Sequence, residues 1–154
     1  MTCYCTLIIH SSVHASLPVG MFRVLAVKKF EFTDQESAER RASRQRMRAA
    51  GFREHPNLPR YRWNLDTNGR VAGDDVHVHL AWLLGQLTTG SLLSALTAQG
   101  YTYWFSMFWG GNGTGGGPLI THEAVALLSL HDAEMGISFY HEQAPLEGSA
   151  TGGS

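Results

Sequence analysis

Beyond Arg70 the sequence contains no lysine and no arginine, so all twelve cations of this 154-residue chain fall within its first 70 residues. Those 70 residues set the twelve against six acids, a balance of +6, while residues 71–154 hold seven acids and no cation, a balance of −7. The formal net charge of −1 conceals this division. Either the halves pack on each other and neutralise internally, or the fold keeps them apart and one face steers a charged partner. Internal pairing is the expectation, because halves of a single domain interleave in space. Long apolar runs are also missing: none approaches the roughly eighteen residues that a membrane-spanning helix needs. Met1 to His10 carries no Lys or Arg, unlike the basic start of a secretory leader, and a cytoplasmic location is expected. Cysteine is scarce. Cys3 and Cys5 stand two apart, a poor geometry for a disulfide between them, which leaves two thiols and no covalent framework.

What is present is an ordinary globular composition, 44% hydrophobic and 16% charged, in a length that suits one domain. Thr2 to Ile9 alternates as a strand with Cys3, Cys5, Leu7 and Ile9 on one face. Met21 to Phe32 is open between strand and helix, with Phe30 and Phe32 favouring a strand at its end. Thr33 and Glu36 have capping-box spacing, and the Arg-, Glu- and Ala-rich stretch to Ala50 reads as a helix packed through Ala38, Ala42 and Ala49 and stopped by Gly51. Tyr61, Trp63 and Leu65 alternate with polar residues as a strand that turns at Asn68-Gly69. Val76, Leu80, Leu83 and Leu87 form a helical stripe to about Thr88, and a second short helix capped by Ser91 runs to Gln99. Tyr101 to Trp109 is an aromatic central strand with Trp104 and Phe108 on its second face. Thr121 caps a helix carrying Ala124, Leu127, Leu128 and His131 on one stripe, Met135 to His141 is the last strand, and the small polar residues from Ala144 to Ser154 read as a flexible tail.

From Trp63 onward the order becomes recognisable: a Trp closing a strand, the helix His79-Leu80-Ala81-Trp82-Leu83-Leu84-Gly85-Gln86-Leu87, a second helix ending at Gly100, an aromatic strand, a Gly/Asn loop, and Leu127-Leu128 before Ile137-Ser138-Phe139-Tyr140. Residues 60–141 thereby resemble the bacterial family catalogued as domain of unknown function 4279. The N-terminal part departs from that pattern, lacking a clear acidic, glycine-bearing turn and leucine-rich helix between Ser11 and Lys29. The resemblance implies a small α+β domain, helices on one side of a mainly antiparallel sheet, in a family with no established activity. Small bacterial families of this kind include immunity and antitoxin partners, which is an analogy of fold rather than of site.

The candidate chemistry is sparse. Gly111-Asn112-Gly113-Thr114-Gly115-Gly116 fits G-x-G-x-x-G between a strand and a helix, the order of a phosphate cradle, but the helix start falls near Thr121 and no Lys follows the glycines. A surface loop or hairpin connection explains the same residues. Asp74-Asp75-Val76-His77-Val78-His79 is the densest histidine cluster; on a helix its two histidines lie about 200° apart and cannot share a metal. No G-x-S-x-G elbow occurs, and His122-Glu123 and His131-Asp132 are sequence neighbours rather than arranged dyads. Five arginines crowd the first helix, but they surround it, and the acidic second half repels phosphate, so nucleic acid is not the expected partner.

The sequence therefore predicts one α+β domain over residues 1–143, a mainly antiparallel sheet with helices packed on one face, and a tail over 144–154. Its expected function is non-catalytic protein binding, without cofactor or metal, steered by Arg40, Arg41, Arg44, Arg48, Arg60 and Arg62. The alternative is a small-ligand or nucleotide-phosphate site, with or without catalysis, at Gly111, Asn112, Gly113 and Gly115.

Overall fold

The computed structural model describes residues 2–23, 27–51, 59–111 and 116–141, apart from the side chains of Met47 and His141. Five strands form one sheet: β1 (Thr2–Ser11), β2 (Lys28–Glu31), β3 (Tyr61–Asp66), β4 (Thr102–Gly111) and β5 (Met135–His141), in the order β2-β3-β1-β4-β5. β1 is antiparallel to both β3 and β4, β2 is antiparallel to β3, and only the β4–β5 pair is parallel. The helices are α1 (Asp34–Ala49), α2 (Val76–Leu84), α3 (Ser94–Thr97) and α4 (His122–Leu130). This is a single α+β domain with a mostly antiparallel sheet. The proposed tail, 144–154, lies outside the described residues.

The register Leu7↔Leu65 and Leu7↔Phe105 puts the apolar faces of β1, β3 and β4 on one side, where Cys5, Leu7, Ile9, Trp63, Leu65, Phe105 and Met107 are buried. Val76, Leu80 and Leu83 of α2, Leu96 of α3 and Ala124 of α4 close over them. Removing one of these side chains costs about 2–5 kcal/mol, a large share of a small domain's stability. Helix α2 stops three residues earlier than its apolar stripe. Gly85 caps it, and residues 86–88 pair instead with 21–23 through Arg23 N–H to Gln86 O (2.8 Å) and Thr88 N–H to Met21 O (2.9 Å). Leu87 stays buried all the same. The expected Ser91 cap is also displaced: α3 is one turn long, its N-cap is Leu93, and the Leu93 N–H donates to His131 Nδ1 at 3.2 Å.

Helix α1 forms as its capping box dictates, with Thr33 N–H donating to Glu36 Oε2 (2.7 Å) and Glu36 N–H to Thr33 Oγ1 (3.2 Å). Its packed side is not the alanine stripe. Ala38, Ala42 and Ala49 are exposed, whereas Ser37, Arg40 and Arg44 are partly covered. None of the described α1 side chains belongs to the apolar core; Arg40 instead reaches Phe32, its Cζ 3.9 Å from the ring centroid.

Two buried histidines tie the layers together. Cys5 N–H of β1 donates to Thr67 Oγ1 (2.9 Å), which lies 2.6 Å from His79 Nδ1, and His79 Nε2 lies 3.1 Å from the Gly73 carbonyl. A carbonyl only accepts, so Nε2 carries the proton; in the neutral ring Nδ1 then accepts from the Thr67 hydroxyl. Thr67 and His79 are both fully buried, so each partner in this chain is needed. Thr67→Val strands the Cys5 N–H and His79 Nδ1, and urea denaturation is expected to show a loss of about 2–4 kcal/mol, most of it regained in Thr67→Ser.

His131 closes α4, accepting the Leu93 N–H, and burial holds its pKa below the ordinary 6.5. Above that value the ring is neutral in both states and its contribution is complete. As pH falls through it the unfolded chain takes up the proton first, so stability declines until the folded ring protonates as well. Melting temperatures measured from pH 7.5 down to about 5 should therefore fall, with a shallower slope in His131→Asn.

Candidate functional site

The sheet's second face carries Tyr4, Thr6, Ile8 and His10 of β1, Arg62, Asn64 and Asp66 of β3, Trp104, Ser106 and Phe108 of β4, and Lys28 and Phe30 of β2. Helices α2, α3 and α4 lie on the other side. The strand order decides how charge falls across this face: β2 and β3 lie to one side of β1, β4 and β5 to the other. Within the sheet, the strands of the cation-rich stretch and those of the cation-free stretch thus lie on opposite sides of β1.

The basic corner is built from α1, β2 and β3. Pairing of Phe30 with Arg62 continues to the bond from Phe32 N–H to Arg60 O (2.9 Å), so Phe30, Phe32, Arg60 and Arg62 share the second face. Arg62 Nε donates to Asn64 Oδ1 at 2.7 Å, and its Cζ lies 5.9 Å from the Phe30 centroid. Stacking on Phe32 buries Arg40 Nη1, which has no hydrogen-bond partner among the described residues. Both guanidinium groups are pushed below their ordinary range, first by lost hydration and then by like charge, Arg44 acting on Arg40 and Arg40 on Arg62. Glu36 counters Arg40, but its carboxylate is already held by Thr33. Of the six sequence-predicted partner residues, the fold brings together Arg40, Arg44 and Arg62. Arg60 is exposed with Cζ 5.7 Å from the Tyr61 centroid, and Arg41 and Arg48 are exposed on α1, away from the covered stripe.

The opposite corner is aromatic. Tyr4 stacks on Phe108 and Phe108 on Tyr140, each pair with centroids 4.7 Å apart and planes 13° and 23° from parallel. Rings at that spacing cover one another's faces, so the row presents edges rather than a platform for bases. Between the corners Ile8 and His10 are buried, and Trp104 meets His10 edge-on at 4.5 Å. Sequence reasoning placed Trp104 and Phe108 on this face but missed their partners Tyr4 and Tyr140, whose placement depends on register.

Of the glycine-loop candidates, Gly111 is the one whose placement the structure describes. Asn112, Gly113 and Gly115 lie outside the described residues. At Gly111 a Cβ would come within 2.7 Å of the Trp109 ring, so the missing side chain leaves room for the indole. β4 and β5 are parallel, which excludes a hairpin. The chain then pairs with the entry to α2, Leu119 N–H donating to Asp74 O (2.9 Å) and Val76 N–H to Leu119 O (3.0 Å), before Thr121 caps α4. The first turn of α4 already holds Glu123, whose carboxyl is kept below its ordinary range by the backbone N–H groups and Thr121. An anionic ligand there would meet a carboxylate.

Other chemistry is accounted for within the fold. Burial pushes the Cys5 thiol up to about 12, and burial together with Asp74 raises Cys3, so neither is a thiolate at neutral pH. His79 belongs to the core network and His77 lies on the same helix, while no group of three or more metal-ligating side chains converges among the described residues. Asp132, with φ +50, is the left-handed residue that ends α4; Ala133 N–H donates to Leu128 O (2.9 Å) across it. A cleft of about 530 Å³ between residues 18–21 and 90–99 has Ser91, Ser94 and Gln99 as its polar side chains and no titratable group.

No family model matches the chain, and no curated protein or solved structure is similar to it. The candidate site therefore rests on its own geometry.

Gly111→Ala is expected to cost about 1–3 kcal/mol in thermal or urea unfolding by forcing the buried Trp109 ring to move. If the loop served a phosphate, the same variant would lose ligand-induced stabilisation instead of intrinsic stability.

Proposed function

We propose that this domain is a non-catalytic binding module that docks an acidic protein surface on the α1–β2–β3 corner of the sheet's second face. The observation that carries this reading is the convergence of Arg40, Arg44 and Arg62 on one corner, with Arg40 Nη1 buried and lacking an acceptor among the described residues. Desolvated guanidinium groups beside aromatic rings form strong, directional contacts with carboxylates, and the exposed arginines around them raise the association rate. Neutralisation of a toxin-like partner is the analogy drawn from the resemblance of residues 60–141, and a cytoplasmic setting is part of the same proposal. Nucleic acid fits less well, since the aromatic row offers ring edges and the β4–β5 side lacks cations.

Capture from native host lysate at low and moderate salt tests this. The expected result is one stoichiometric protein that elutes with salt, with Arg41→Glu/Arg44→Glu weakening capture by about tenfold or more. Retention of nucleic acid in place of protein, or capture indifferent to both salt and the charge reversal, would overturn the proposal.

A further inference from the structure

The basic corner gathers more positive charge than a single carboxylate neutralises. Arg40 and Arg62 bring two guanidinium charges to one end of the sheet face, each backed by a phenyl ring, Phe32 under Arg40 at 3.9 Å and Phe30 beside Arg62 at 5.9 Å. Arg62 Nε donates to Asn64 Oδ1, and Arg40 Nη1 is buried with no acceptor among the described residues. α1 contributes Arg44 and the already engaged Glu36, β2 contributes Lys28, and β3 contributes Arg60 and Asp66, the last four residues along the strand from Arg62. Among these described groups the cations outnumber the acids.

We propose that Arg40 and Arg62 form a subsite for a doubly charged oxyanion of the phosphate-monoester class, bound by paired guanidinium forks. A dianion matches two guanidinium charges and offers enough oxygen acceptors for both forks, whereas a carboxylate or a phosphodiester carries one charge and leaves one guanidinium uncompensated. Burial and mutual repulsion push both guanidinium groups below their ordinary range, a cost that an incoming anion relieves. The inference deepens the docking proposal by naming the chemistry the partner presents at this corner, a phosphorylated side chain, while a free phosphate would use the same forks.

The test is a titration of the arginine Nε–Hε resonances with inorganic phosphate at pH 8, with ionic strength held constant by sodium chloride. Saturable shifts of the Arg40 and Arg62 signals are expected, weakened at least fivefold in Arg40→Gln and Arg62→Gln and unchanged in Arg70→Gln, whose arginine lies against Trp82. Arg40→Lys keeps the charge without the fork and serves if the glutamine variant does not fold. Acetate and dimethyl phosphate, both monoanions, should shift the same signals far less. Linear, unsaturated shifts, equal response to the monoanions, or equal loss in Arg70→Gln would overturn the subsite. A phosphoserine peptide binding at least tenfold more tightly than inorganic phosphate assigns the group to a partner, and equal affinity assigns it to a free anion. Saturation by phosphate when capture is indifferent to Arg41 and Arg44 sinks the docking proposal alone; charge-dependent capture without saturation sinks the subsite alone.

Discussion

The position of β1 governs this molecule. As the middle strand, antiparallel to β3 on one side and β4 on the other, it places β2 and β3 on one side of the sheet and β4 and β5 on the other. Within the sheet, strands drawn from the cation-rich and cation-free stretches are thereby kept from pairing. Had β1 lain at an edge, β3 and β4 could have been neighbours. The same strand anchors the core through Cys5, Leu7 and Ile9 and, through the Cys5 N–H, holds the Thr67–His79 network that docks α2. Stability and charge separation thus share one structural origin.

The two faces of the sheet obey different balances. On the helical face the burial of aliphatic and aromatic side chains outweighs the ordering of α2, α3 and α4, and the polar groups caught inside, His79, Thr67 and His131, have partners. On the second face the covering element is α1, whose inward side is arginine rather than leucine. Cation–π stacking is worth about 0.5–2 kcal/mol per contact, too little to fasten a helix as a hydrophobic seam would. Such a helix holds its position while keeping charge at hand, a reasonable construction for a docking surface. The two sheet edges differ in kind as well. β2 is four residues long and carries Lys28, Lys29 and Glu31, which discourages strand addition, while β5 runs seven residues with no Asp, Glu, Lys or Arg.

Much of the fold was legible because local chemistry and tertiary need agreed. The alternation in Tyr61 to Asp66, the Thr33/Glu36 capping box and the Thr121 cap are each fixed by residues within a few positions of one another, and the structure has them there. What failed depended on distant partners. Gln86 to Thr88 could have continued α2 but is drawn into pairing with Met21 to Arg23, 65 residues earlier in the chain. The alanines of α1 suggested a packed stripe only on the assumption that the helix lies against apolar residues. For the candidate site, the sequence offered the arginines without their arrangement: it took the Phe30↔Arg62 register and the Phe32–Arg40 stack to single out two from six. The Tyr4–Phe108–Tyr140 row joins three strands spread over most of the chain, and no local signal could have assembled it.

The central claim, that the strand order turns sequence charge asymmetry into a surface gradient, is open to direct measurement without any partner. Paramagnetic relaxation of amide protons by matched cationic and anionic nitroxide co-solutes reports the local surface potential residue by residue. The account predicts positive potential at the amides of α1 and β2 and negative potential at those of α4 and the start of β5, near Asp132 and Glu134. Potentials of one sign throughout, or values near zero at both ends of the sheet, would contradict it.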